Sequence, residues 1–424
     1  MLKKILRSSL LRSSAVYTTS SVVNAAIPFL VMPILTRYMT PTDYGIVSMM
    51  TVLVGLVSPF VGLNIHGAIS VKYFDRTPHN LPRYIGNCFL LLFGSTLILS
   101  LLLWLFAGPI SSLTAFPRQW LAVVILLSIG QFVTIVLLTL WQVRDNPYRY
   151  ASFQILQTVM NVTLTLILVV AMHMDWRGRV LAQVISGIVV TAAGLVLLWR
   201  GGWIKLDYNL ADMRHALKFG VPLIPHALGA ILITQTDRIF ITKMVGIADT
   251  GIYTVGFQLG MIIELLASSF NKAYVPWLYR RLGGIDLAGK QEIVKLTYLY
   301  FCGILLLALF LSLVAPWFLS FFVGKDFAGS ARYTPWIALG FAFSGMYYMV
   351  ANYVFYAGAT HILAWVTLLT AAVNIVMNYV LIKINGAVGA AQASALAFFI
   401  SFILTWALSS KVYPMPWRLR RRAV

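Results

Sequence analysis

The stretch TRYMTPTDYGIVS, residues 36–48, has a gapless counterpart 206 residues further along the chain, TKMVGIADTGIYT, residues 242–254. Thr36 lies over Thr242, Arg37 over Lys243, Asp43 over Asp249, Gly45 over Gly251, Ile46 over Ile252 and Ser48 over Thr254. Matches at charged and glycine positions are harder to reach by chance than matches in apolar runs. The pair therefore marks a tandem duplication.

Each copy is built for lipid. Of 424 residues, 60% are hydrophobic and 10% charged, and the mean hydropathy of +0.85 lies far above that of soluble domains. A span needs about 20 apolar residues, and its backbone polar groups must be satisfied within the segment, which selects helices. Apolar runs fall at about 14–36, 44–71, 84–108, 119–141, 150–172, 180–200, 217–244, 250–277, 294–316, 333–357, 360–383 and 388–410. Six spans per copy is an even number, so the copies enter the membrane from the same side as parallel repeats. The expected fold class is an all-α integral membrane protein, with twelve transmembrane helices in two pseudo-symmetric six-helix lobes around a central cavity. The lobes are residues 1–205 and 206–424, divided at WRGGWIKLDYNLADMRH near residues 200–215.

Lys and Arg number 32 against 12 Asp and Glu. In a soluble protein that surplus would raise nucleic acid as a partner; here it orients the chain. Twenty-two of the basic residues fall on segments that share a side with the N-terminus and eight on the opposite side. Positive-inside bias puts both termini in the cytoplasm, with the tail WRLRRRAV anchoring at the anionic leaflet and no nucleic-acid role. The apolar stretch after the basic start runs to about Thr36, too far for a cleaved signal, and reads as a retained first span. Cys88 and Cys302 lie in apolar runs, without metal or redox spacing, and read as small buried residues.

Polar side chains inside spans are costly and should face a cavity or one another. In the eighth span Glu264, Ser268 and Lys272 follow i, i+4, i+8, with Asn271 alongside. The repeat puts Ser58, Gly62 and His66 on the equivalent face of the second span, and makes His66 and Lys272 equivalent positions. Two readings stand: a cationic rung for an anionic head group, or a snorkelling lysine and a satisfied bundle histidine. The first span carries Ser14, Thr18 and Ser21 on one face with Asn24 nearby. Pro28, Pro33, Pro222 and Pro225 interrupt the first and seventh spans and should bend them.

The run LITQTDRIFITK, residues 232–243, sets Asp237 beside Arg238. On a helix the two project about 100° apart, so they cannot simply pair. Arg238 shares a face with Thr234, Gln235 and Thr242, while Asp237 points toward the side of Ala230 and His226. Either each closes an interhelical ion pair, or Arg238 faces the cavity, where its planar fork suits phosphate. The first copy has Val31 and Met32 in their place.

These segments also carry a resemblance. ILTRYMTPTDYGIVSM, residues 34–49, and GVPLIPHALGAILITQTDRIFITKMVGIADTGIYTVGFQLG, residues 220–260, resemble the polysaccharide transporter branch of the multidrug/oligosaccharidyl-lipid/polysaccharide superfamily, the Wzx-type O-antigen flippases. The resemblance implies a bacterial inner-membrane protein moving undecaprenyl-diphosphate-linked oligosaccharide outward, coupled as an antiporter to a proton or sodium ion. It implies lipopolysaccharide or other polysaccharide biosynthesis as the setting, with a polymerase and a chain-length regulator as possible protein partners. His66, Asn24, Arg238, Gln235, Lys272, Asn271 and Ser268 are then the cavity residues. Glu264 and Asp237 are the acids available for ion coupling, and no cofactor or metal is expected. Twelve spans depart from the fourteen typical of lipid II flippases.

Two other classes compete. A multidrug and toxin extrusion exporter shares the two-lobe plan, but a cavity for organic cations should favour acids over Lys272 and Arg238. A polytopic polymerase or glycosyltransferase should carry a large extramembrane catalytic loop. The longest outward loop, WFLSFFVGKDFAGSARY, is short, and no nucleophile-histidine-acid set or phosphate-binding glycine loop is present, so no enzyme is expected.

Overall fold

The computed structural model describes residues 9–75 and 80–417, and the described chain is helical throughout. The helices are α1 (Ser9–Tyr38), α2 (Pro41–Val61), α3 (His66–Tyr73), α4 (Leu81–Leu105), α5 (Ala107–Thr114), α6 (Leu121–Val143), α7 (Pro147–Thr165), α8 (Asp175–Arg200), α9 (Leu210–Gly220), α10 (Ile224–Met244), α11 (Ile247–Leu282), α12 (Leu287–Phe322), α13 (Thr334–Tyr356), α14 (Thr360–Asn385) and α15 (Ala387–Val412). Among the described residues ten helices are long and apolar enough to cross a bilayer, and the pair Leu210–Gly229 and Ile231–Met244, bent by 48°, passes the same test when counted as one span. α1 fills the first span's place, with Phe29–Tyr38 as its apolar stretch. Lys3, Lys4 and Arg7, and all the tail's residues after Trp417, lie outside the described residues.

The duplicated loop is a helix start. Thr40 is the N-cap of α2: its hydroxyl accepts from the Asp43 amide at 3.2 Å, and the Asp43 carboxylate accepts from the Thr40 amide at 2.9 Å. With Pro41 in the first turn, this satisfies amides that an isolated helix would leave bare. In the second copy Asp249 instead pairs with Arg332 at 3.2 Å.

The copies then diverge. α2 stops at Val61, and the chain turns through Leu63 and Asn64, both left-handed at φ 48° and 49°, before α3 begins at His66. The expected helical face of Ser58, Gly62 and His66 is thus interrupted. Gly220, at the end of α9, makes the close approach possible, because a Cβ there would sit 2.2 Å from the Leu63 carbonyl oxygen. In the second copy α11 runs 36 residues without a break. At 1.5 Å per residue that is about 54 Å, well beyond the hydrocarbon thickness. α11 and α12 therefore leave the membrane as a hairpin, turned at Gly283 and Gly284 and clasped by Arg281 to Glu292 at 2.8 Å.

The chain divides into two compact units, one ending at Ile231 and the other running from Leu232. The core of the first holds Ile65, Ile69, Tyr84 and Val136. The segment expected to link the lobes packs within this unit. Asn87 donates to the Asp207 carbonyl at 2.8 Å and accepts from the Asn209 amide at 2.9 Å, and Arg83 pairs with Asp212 at 3.0 Å. Tyr84 and His215 share a hydrogen bond at 2.9 Å.

The second unit is built around α13, its most buried span. Gly256 and Gly260 of α11 let it close on its neighbours: a Cβ at Gly260 would lie 2.5 Å from Ile337. Small residues at such contacts are what membrane helices use to pack backbone to backbone. Cys88 is buried as expected, whereas Cys302 is exposed on α12.

Candidate functional site

The densest buried polar group lies in the second unit, around Asp237 of α10. Its carboxylate is 1% exposed and accepts three hydrogen bonds: from Tyr253 of α11 at 2.6 Å, Asn378 of α14 at 2.9 Å and Ser394 of α15 at 2.7 Å. Every one of these donors is neutral. The expected interhelical ion pair is absent, since no Lys, Arg or His closes on Asp237 among the described residues. A carboxylate at that depth is held by donors from three helices rather than by a fixed cation.

The network runs on along α14. Asn378 also donates to the Asn374 backbone and side-chain oxygens at 3.0 and 3.1 Å, and Asn374 donates to Ser394 at 3.3 Å. Thr370, Asn374 and Asn378 follow i, i+4, i+8 on one face and are buried. The Asn378 Oδ1 has no hydrogen-bond partner, and neither has the Thr370 hydroxyl. An acid enclosed by neutral donors, with the Asn378 Oδ1 unpaired beside it and Arg238 acting on its charge without bonding to it, has the chemistry to hold a proton or a small monovalent cation.

Arg238 does not bond to Asp237, although its guanidinium lies 5.9 Å from the ring centroid of Tyr253, which does. It is 6% exposed and donates to the Thr234 carbonyl at 3.0 Å and to Gln235 Oε1 at 2.9 Å. Its guanidinium lies over the Phe257 ring at 4.3 Å. No acid on another helix pairs with it among the described residues, so the ion-pair expectation fails for both members of the doublet. Gln235 is tied to Arg238. The first copy holds buried Val31 and Met32 at these two positions.

The eighth-span stripe divides between partners. Glu264 accepts from Tyr348 of α13, with Ser344 also beside it, and its other carboxylate oxygen is buried without a hydrogen-bond partner. Asn271, two turns on, accepts from Asn352 of the same helix at 2.8 Å, while Ser268 donates to its own Leu265 carbonyl at 3.2 Å. Lys272 is exposed and enters no ion pair among the described residues. His66 is half-buried at the start of α3. Asn24 lies elsewhere in the first unit, donating to Gln154 at 3.3 Å and accepting from Thr158 at 2.8 Å. The side chains of Ser14, Thr18, Ser21, Ala230 and His226 are outside the described set.

Sequence reasoning missed Asn374, Asn378 and Ser394 as partners of Asp237. The signal was present, because Thr370, Asn374 and Asn378 form a helical polar stripe in an apolar span. It also missed Arg179, which falls just outside the apolar run expected at about 180–200; α8 begins at Asp175 and takes Arg179 inside.

Fold and site together define a polytopic helical membrane protein with an acid buried among neutral donors. The chain belongs to the family described as polysaccharide biosynthesis protein, which matches residues 10–281. An uncharacterized membrane protein of Haemophilus influenzae is 28% identical over 377 residues, covering 85% of this chain and 88% of its own length. Among solved structures, the lipid II flippase MurJ in an inward closed conformation matches 92% of this chain and 87% of its own, with a TM-score of 0.74 at 13% identity. An inward-facing multidrug resistance MATE family transporter of the MOP superfamily matches 91% and 94%, with a TM-score of 0.59 at 14% identity.

Proposed function

We propose that the chain flips undecaprenyl-diphosphate-linked oligosaccharide, an O-antigen or other polysaccharide repeat unit, from the inner to the outer leaflet of a bacterial inner membrane. Both termini face the cytoplasm, and transport runs by alternating access driven by an inward proton or sodium flux. The observation that carries the coupling is the Asp237 carboxylate, enclosed by three neutral donors from three helices. A cation bound there neutralises the carboxylate and changes how α10, α11, α14 and α15 are held together, which is the physical requirement for coupling binding to a conformational equilibrium. Arg238, with its hydrogen-bonding fork only partly used by Thr234 and Gln235, serves the diphosphate. Glu264 is the second acid available to the ion.

The test uses proteoliposomes holding a fluorescent short-chain polyprenyl-diphosphate glycan. Wild-type protein is expected to flip it faster under an inward proton or sodium gradient, and Asp237→Asn to lose that gradient dependence. Flipping no faster than in protein-free liposomes, or uptake of an organic cation such as ethidium in its place, would overturn the reading.

A further inference from the structure

Unit 1 contains a second polar assembly that the coupling reading leaves unused. On α7, Gln154, Thr158, Asn161 and Thr165 follow i, i+4, i+7, i+11 and share one face, about 16 Å long. Gln154 accepts from Ser20 and Asn24 of α1 at 3.3 Å each, and Thr158 donates to Asn24 at 2.8 Å. Asn161 donates to Ser186 of α8 at 3.1 Å and accepts from Arg179 at 2.8 Å, while Thr165 accepts from the same guanidinium nitrogen.

Two features separate this face from ordinary bundle packing. Gln154, Thr158 and Asn161 are half-buried rather than enclosed, although they stand in a segment long and apolar enough to cross a bilayer. Amides left partly open there require water or a polar ligand, since lipid offers neither donor nor acceptor. The face also ends on a cation that pairs with no acid among the described residues: Arg179 donates to Asn161 and Thr165, both neutral. Its position is built. Past Thr165 the helix widens into a π-helical turn, Leu166–Ala171, and Gly178 lets α8 close on it, since a Cβ there would lie 3.0 Å from the Leu168 carbonyl.

We infer that this face of α7 recognises the sugar part of the cargo, and that Arg179 selects glycans carrying a carboxylate-bearing sugar. A row of amides and hydroxyls matches the alternating donors and acceptors of sugar hydroxyls. A guanidinium that pairs with no acid among the described residues, at the end of that row, receives a carboxylate in a charge-assisted pair. The inference rests on the flippase reading and names the class of its substrate.

Two probes decide it: polyprenyl-diphosphate lipids carrying either glucuronate or glucose, which differ at one carboxylate, flipped by the full chain in proteoliposomes. Wild-type protein is expected to flip the glucuronyl lipid about tenfold faster, the discrimination one charge-assisted hydrogen bond supplies. Arg179→Gln should bring the ratio toward one, and Arg179→Lys should restore part of it. Asn161→Asp places an acid against Arg179 with almost no change of shape and should also lower the ratio, so the test survives misfolding of Arg179→Gln. Equal wild-type rates for the two lipids overturn this inference and leave the flippase reading standing. Failure to flip either lipid overturns both.

Discussion

The two copies of the repeat spend their polar residues in opposite ways. In the second, Asp237 and Arg238 stand within a buried network reaching α11, α14 and α15; in the first, the same register holds Val31 and Met32 in an apolar core. The first copy puts polar groups on α7 instead, where Gln154, Thr158 and Asn161 are half-open and Arg179 of α8 donates to Asn161. The following helices differ as well, since α2 breaks at Gly62–Ile65 while α11 runs unbroken through Ala267–Lys272. The copies keep the position at which this helix starts but not its cap: the first begins on the Thr40–Asp43 capping box, the second after Gly246 with no side-chain cap. A buried polar group diverges further, because it survives only with partners on other helices.

That difference can be broken directly. Val31→Asp gives the first copy the acid of the second without its donors, leaving an unpaired carboxylate in an apolar core. The expected cost is about 3 kcal/mol or more, enough to lose most folded protein. Yield and monodispersity in detergent measure it, and wild-type behaviour would show that the first copy holds donors of its own.

The helix break carries a smaller effect. A methyl group at Gly220 meets the Leu63 carbonyl oxygen at 2.2 Å, so Gly220→Ala must shift either α9 or the left-handed turn. Overpacking of this kind costs about 1–3 kcal/mol. Thermal unfolding in detergent should show the loss. An unchanged midpoint would mean that the turn yields freely and that Gly220 does not hold the break.

How much of this was legible follows from range. The duplication and the apolar runs can be read directly; Asp43 matches Asp249 in the repeat, but its capping of α2 with Thr40 comes from the structure. The face assigned to Arg238, with Thr234 and Gln235, also follows from one helix, and the structure places both as its hydrogen-bond acceptors. Asp237 could not be resolved in that way. Its donors come from residues 16, 141 and 157 positions away, and nothing in LITQTDRIFITK distinguishes three neutral donors from one cation. The break after α2 was hidden for a related reason: the turn residues Gly62 and Asn64 stand in an otherwise apolar run, and the space that admits the turn is provided by Gly220 on a distant helix.

Lys272 and His66 give the smallest effect on stability and the finest test of the comparison. They share a register, but His66 starts a new helix after the break, whereas Lys272 continues an unbroken one and is exposed. An exposed lysine without an ion pair contributes little to folding, so Lys272→Gln should change unfolding free energy by no more than about 0.5 kcal/mol. If Lys272 meets the diphosphate, the same change should slow flipping several-fold, and added salt should slow the wild type more than the variant, because screening weakens an exposed charge pair. A lysine that only snorkels to the interface would leave both the rate and its salt dependence at wild-type values. His66→Gln then asks whether the cationic rung has two members: a loss comparable to that of Lys272→Gln would mean that the rung survives the helix break, and no loss would confine it to the second copy.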